Sequence, residues 1–154
     1  MTVRKIKIAD SFDLRMTLDD LYESTTQVVL AKWALELIEH IFDKLGYEVN
    51  DYDVVVNGIS VNQAWQNGDA RMHDVRQAGF KIHECARNSE DKLLSLALRV
   101  AGQAVGTGHM KEHAMVASDY AIKVINEKYP HNKESVIEER QWQIKALENQ
   151  IRQN

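Results

Sequence analysis

The run with the most chemical potential in this chain is His109-Met110-Lys111-Glu112-His113. On a helix, residues four apart lie one turn apart on one face, so His109 and His113 would offer two imidazoles to a single zinc ion. The letters also fit H-x-x-E-H, the inverted zinc-peptidase pattern. A zinc site needs a third protein ligand, however. The downstream candidates Glu127, Glu134, Glu138, Glu139 and Glu148 fall on segments that read as solvated. The competing reading makes both histidines structural, satisfied by hydrogen bonds. We assign no catalytic residue, no metal ligand and no cofactor, and keep a metal-dependent hydrolase built on His109 and His113 as the alternative.

A second constellation precedes it. His73, Arg76, Phe80, His83 and Arg87 follow three-and-four spacing beside an apolar stripe, so they form one polar flank of a helix. Such donors either brace neighbouring helices through carboxylates or recognise a partner. Of these, His73, Arg76 and His83, together with Asp69, Arg71, Asp74, His109 and His113, are expected to form a structural polar cluster. Cys85 is the only cysteine, which excludes an intrachain disulfide, and beside Ile82 and Ala86 it is expected to pack as a small apolar residue.

The third feature is charge. Glu36, Glu39, Asp43, Glu48, Asp51 and Asp53 are opposed only by Lys44 between residues 36 and 53. The default for such a run is a solvated face. The functional reading is a docking edge for a basic partner, because opposed charges accelerate encounter. Trp142 lies off the apolar stripe of its helix and joins these residues as a candidate interface anchor.

Composition bounds the rest. The chain has 154 residues, 44% hydrophobic and 27% charged, enough for one packed domain. A net charge of −4 leaves no basic footprint for nucleic acid or anionic membrane. No apolar run approaches the roughly 20 residues that span a bilayer, and residues 1–9 lack the continuous apolar segment of a secretion signal. The expected location is the cytoplasm.

One proline and seven glycines in 154 residues predict long helices with short connections. We expect an all-α, single-domain bundle of about five to six helices: an extended N-terminal arm over 1–16, a core bundle over 17–129 and a C-terminal helix over 130–154. Thr25 to Leu45 is the clearest helix, stopped by Gly46. Residues 51–67 read as helix, and Asp69 as the cap of the next one. A helix containing Leu93 to Val105 follows, then a glycine-rich stretch, Ala101-Gly102-Gln103-Ala104-Val105-Gly106-Thr107-Gly108. Its bland reading is close helix packing or a chain break. Met110 to Val124 reads as helix, ending near Pro130. The last helix carries Ile137, Ile144, Leu147 and Ile151, a narrow stripe that either covers the bundle or pairs with a second copy of the chain.

From about Val28 to Tyr129 the chain resembles a family of immunity proteins from bacterial polymorphic-toxin systems, the fifth-type-like immunity group. The resemblance rests on Ala31-Lys32-Trp33-Ala34, Ala64-Trp65-Gln66-Asn67-Gly68, the run Arg71 to Ala78, the stretch Ala101 to His109, His113-Ala114 and Tyr120-Ala121. Members often carry alanine where this chain has Gly106 and Gly108, which implies a more bent segment here. The resemblance implies a small helical protein without enzyme activity that binds and blocks a cognate toxin protein. A helical oligomerisation or scaffold domain, dimeric through the last helix, is the remaining alternative.

Overall fold

The computed structural model describes residues 1–154 and contains seven α-helices and no strand. They are α1 (Phe12–Glu23), α2 (Gln27–Leu45), α3 (Asp53–Gln66), α4 (Met72–Asn88), α5 (Lys92–Val105), α6 (His113–Lys128) and α7 (Lys133–Gln153). Short 3₁₀ turns at Val49–Asp51 and Gly106–Gly108 join α2 to α3 and α5 to α6. Thus there are one or two helices more than the sequence predicts. The addition is α1, which begins inside the stretch expected to be an extended arm.

Helix ends follow local chemistry. Thr26 caps α2 by accepting from the Val29 amide, and Gly46 closes it at φ 78°. There the Tyr47 amide reaches back to the Phe42 carbonyl at 2.9 Å, the wrap that a left-handed glycine permits. α3 ends the same way. Gly68 takes φ 80°, and the Asp69 amide donates to the Ala64 carbonyl at 2.8 Å. Asp69 is therefore spent on terminating α3 and does not cap α4. The first turn of α4 is held instead by Asp74, which accepts from the Arg71 amide at 3.0 Å. Asp91 caps α5 through the Leu94 amide.

α2 is the central element. Leu30, Ala31, Trp33, Ala34, Leu37, Ile38, Ile41 and Phe42 are all fully buried on it. It packs against α5, α6 and α7, while α4 and α5 pair closely on one side. Gly79 makes that pairing tight: a methyl group there would lie 3.2 Å from the Gly102 carbonyl. The glycine-rich stretch is thus helix up to Val105 and a buried 3₁₀ turn beyond it, in line with close packing plus a break.

The arm, residues 1–11, alternates as the sequence does, with Ile6 and Ile8 half-buried and Lys5 and Lys7 exposed. It joins no sheet, because the neighbours are helices whose backbone groups are already paired. Side chains hold it. The Thr2 amide donates to both carboxylate oxygens of Asp19 at 2.8 and 3.0 Å. Asn126 accepts from the Ala9 amide at 2.8 Å and donates to its carbonyl at 3.0 Å.

Candidate functional site

The acidic edge is built from three on α2 and three beyond it. Glu36, Glu39 and Asp43 project from one face of α2, Glu48 follows its end, Asp51 lies in the 3₁₀ turn and Asp53 opens α3. All six are exposed. Glu36 accepts a hydrogen bond from Gln150 of α7; the structure gives the other five no hydrogen bond or ion pair through their carboxylates. Between α2 and α3 lies a small groove of about 260 Å³, with Leu35 and Ile59 as its apolar lining and Glu36 and Glu39 at its wall.

Trp142 is half-buried, not a free anchor. Its indole stacks on the His40 imidazole at 3.6 Å between ring centres and 7° between planes. His40 Nε2 lies 2.7 Å from Glu139, whose side chain is fully buried. Glu139 is therefore no solvated tail residue. Because His40 follows Glu36 by one turn of α2, the stacked pair adjoins the acidic edge.

The expected polar cluster separates into parts. Arg71 pairs with Asp74 at 3.3 Å on the surface. The amide and guanidinium of Arg71 together hold the Asp74 carboxyl below the usual carboxylate range. Arg76 lies over the Phe80 ring at 5.0 Å, also exposed. Asp69 and His73 are exposed, and their side chains form no hydrogen bond or ion pair with the rest. Cys85 is exposed, although Ile82 and Ala86 on the same helix are buried, so it does not pack as a core residue. Only His83, His109 and His113 come together, around a residue the sequence reading did not single out, Gln103. Arg99 lies 3.0 Å from His83 Nδ1, Gln103 lies 3.4 Å from His83 Nε2, and Gln103 lies 2.7 Å from His113 Nδ1.

Burial, the Arg99 charge and the neighbouring His113 and Arg87 push the His83 imidazole down to about 4. Burial, then His109 and Lys5, also lower His113. The zinc geometry fails at its premise. α6 begins at His113, and His109 ends the 3₁₀ turn, so the two are not stacked on one helical face. Their ring centres are 5.5 Å apart, and no third His, Cys, Asp or Glu converges on them.

Gly102 makes room for this cluster, since a methyl group on it would meet the His83 ring at 2.7 Å. In Gly102→Ala, about 1 kcal/mol of helix propensity opposes an overpacking penalty of about 1–3 kcal/mol. The ring is pinned by Arg99 and Gln103, so the penalty dominates and the urea midpoint is expected to fall. A raised midpoint would show that the ring withdraws freely.

Sequence reasoning missed the largest polar assembly. Arg140 of α7 is 0% exposed. It donates to Asp10 of the arm at 2.7 and 2.9 Å, to Asp119 of α6 at 2.7 Å, to Ser118 at 3.2 Å and to Gln143 at 2.8 Å. Arg15 of α1 grips the same Asp119 with two bonds at 2.9 and 3.1 Å. Burial works against the charge of Arg140, but the bonds and charges of Asp10 and Asp119 outweigh it and hold the guanidinium more firmly protonated. A faint signal exists in the spacing of Val136, Arg140, Gln143 and Leu147, which share one face of α7. The expected stripe is split: Leu147 is buried, Ile144 is half-buried, and Ile137 and Ile151 are exposed.

Beside this assembly, the arm and the α6–α7 corner enclose an open cleft of about 760 Å³. No helix in the chain is long and apolar enough to cross a membrane.

The fold and these sites define a small all-α protein whose buried arginines and aspartates pair with one another and whose unpaired carboxylates line one edge. The chain belongs to the family described as Imm-5 like putative immunity protein, whose model matches residues 20–150. That match takes in most of α7, beyond the limit at Tyr129 drawn from short sequence blocks. No match was found among curated proteins or solved structures.

Proposed function

We propose that this chain binds a cognate bacterial toxin protein directly and neutralises it by covering the toxin's active site or cleft. Membership of the immunity family supports the partner class. The observation that carries the choice of surface is the exposure of all six acidic residues from Glu36 to Asp53 along one edge, five of them with unpaired carboxylates. Free carboxylates on a rigid edge attract a basic partner at long range, and a preformed surface loses little entropy on docking. Leu35 and Ile59 in the adjoining groove offer apolar area beside the charge. The place of action we propose is the cytoplasm, where the exposed Cys85 thiol stays reduced.

The test is charge reversal. Glu39→Lys, Asp43→Lys and Asp51→Lys together are expected to slow association with the toxin by about tenfold or more at low salt. All three are exposed, so the melting transition should stay close to that of the unaltered protein. Stopped-flow association at low and high salt reads the effect, and an unchanged low-salt rate rejects the acidic edge as the docking surface. A second copy docking on the outer face of α7, where Ile137 and Ile151 are exposed, would appear as a concentration-dependent molar mass in light scattering.

A further inference from the structure

His83, Gln103 and His113 tie three elements together at one place. His83 comes from α4, Gln103 and Arg99 from α5, and His113 is the first residue of α6. Between Gln103 and His113 the chain makes the 3₁₀ turn, closed by the His109 and Met110 amides on the Gly106 carbonyl, and a second tight turn, closed by the His113 amide on the Met110 carbonyl. Both imidazoles lean on glycines. A methyl group at Gly102 would strike the His83 ring at 2.7 Å, and one at Gly106 would meet the His113 ring at 3.2 Å.

The hydrogen-bond chemistry allows one protonation state. A guanidinium only donates, so His83 Nδ1 must accept from Arg99, and the single proton of that ring sits on Nε2. That proton needs an acceptor, whereas the structure sets Gln103 Nε2 toward this ring and Gln103 Oε1 on His113 Nδ1, so the pairing calls for the opposite amide orientation. An amide has one donor end and one acceptor end, and a half-turn about its terminal bond exchanges them without changing shape. The chain from Arg99 through His83 and Gln103 to His113 is therefore complete when both rings are neutral. A second proton on His83 would point at Arg99.

We propose that His83, Gln103 and His113 form an acid-released latch that fastens the Gly106–Glu112 turn and the start of α6 onto α4 and α5. The charged surroundings all bear on its sign. His83 faces Arg99 of α5, His113 of α6 and Arg87 of its own helix. His113 faces His109 of the turn, Lys5 of the arm and the single acid Glu112, and Glu112 is already paired with Lys5 at 3.4 Å. Burial acts first on both rings, and the Arg99 and Arg87 charges beside His83 add to it, so the closed latch disfavours protonation. An imidazole released to solvent takes a proton near pH 6.5. The closed state thus binds fewer protons than the open one. Closure is complete at pH 7 and weakens as pH falls from about 6.5 toward the lower value of the closed state, about 4 for His83.

Amide hydrogen exchange on the full chain tests this at pH 7.0 and 5.0, corrected for intrinsic exchange. For one histidine that is neutral when closed and ordinary when open, protection should drop about 25-fold over that interval. The drop is expected at the His109 and Met110 amides, with the Leu37 and Ile38 amides of α2 unchanged. Equal protection at both pH values, or loss in step with α2, overturns the latch. His83→Gln retains a hydrogen-bonding side chain without a titrating one and should flatten the dependence; full retention of the dependence overturns it too. Should that variant not fold, NMR titration of the unaltered protein decides. His83 is expected near 4 and His113 below 6.5, and an ordinary midpoint for either ring refutes the proposal.

Discussion

Arg140→Ala is expected to destabilise the protein by about 3–5 kcal/mol, the range for breaking a buried ion pair from one side. Arg140 is wholly enclosed, and its partners differ in what they keep. Asp119 retains both bonds from Arg15. Asp10, whose side chain is 2% exposed, loses both donors to its carboxylate from α7 and keeps only the adjacent Ser11 amide. A carboxylate left in that position carries its desolvation with little compensation. It escapes only by pulling the arm away from α7, which also uncovers Ile8 from Ile122, Ile125 and Val136. Against a typical domain stability of about 5–15 kcal/mol, the loss is large enough to read directly in urea unfolding.

A double-mutant cycle isolates the pair. Asp10→Asn removes the charge that Arg140 neutralises, so Asp10→Asn with Arg140→Ala should be less damaging than the sum of the two single changes, by about 0.5–3 kcal/mol. Strict additivity, or an Arg140→Ala loss below about 1 kcal/mol, would mean that the guanidinium is hydrated and the arm is fastened elsewhere.

Ending the chain at Tyr129 is expected to abolish cooperative unfolding. α7 packs against α1, α2 and α6. It supplies Ala146 and Leu147 to the main core. The Trp33 indole donates to the Gln143 carbonyl at 3.0 Å. Truncation uncovers Trp33, Ile122 and Ile125, each at 0% exposure in the intact protein. At about 1.5–3 kcal/mol for each large apolar side chain, the forfeited burial is on the order of 5–9 kcal/mol, comparable to the whole stability of a domain this size. The severed bonds of Asp119, Ser118 and His40 to α7 add to it. Circular dichroism on heating should show a broad, shallow change in place of a sigmoid. A truncated chain that melts sharply near the temperature of the full one would make α7 an appendage to a bundle complete without it.

That expectation reverses the weight the sequence places on residues 130–154, and the reason is physical. Burial from sequence is read through apolar periodicity. α7 turns Glu139, Arg140 and Gln143 inward beside Val136 and Leu147. Polar groups enter a core only when partners meet them there. Those partners are Asp10, 130 residues away in sequence, together with Asp119 and His40. No pattern within α7 announces them. The same holds for Gln103, unremarkable until α4 and α6 bring His83 and His113 to its two ends. Conversely, H-x-x-E-H promises a shared face only if the segment is helical, and Gly106 to Gly108 turn the chain before His113.

What the chain determines locally was open to inspection in advance. The all-α class follows from the scarcity of proline and glycine and from runs such as Ala31 to Leu45, whose three-and-four spacing defines both a helix and its inward face. Gly46 as a stop follows from the freedom of glycine at positive φ. Exposure of Glu36 to Asp53 follows from the solvation of unpaired carboxylates. Tertiary structure decided which charges go inside, because two arginines and their aspartates are tolerable in a core only as a closed set drawn from the arm, α1, α6 and α7 at once. It also decided that α1 starts at Phe12, that Asp69 serves α3, and that His83 and His113 share an amide instead of a metal. Each of those depends on groups far apart in sequence reaching hydrogen-bond distance, which only packing can arrange.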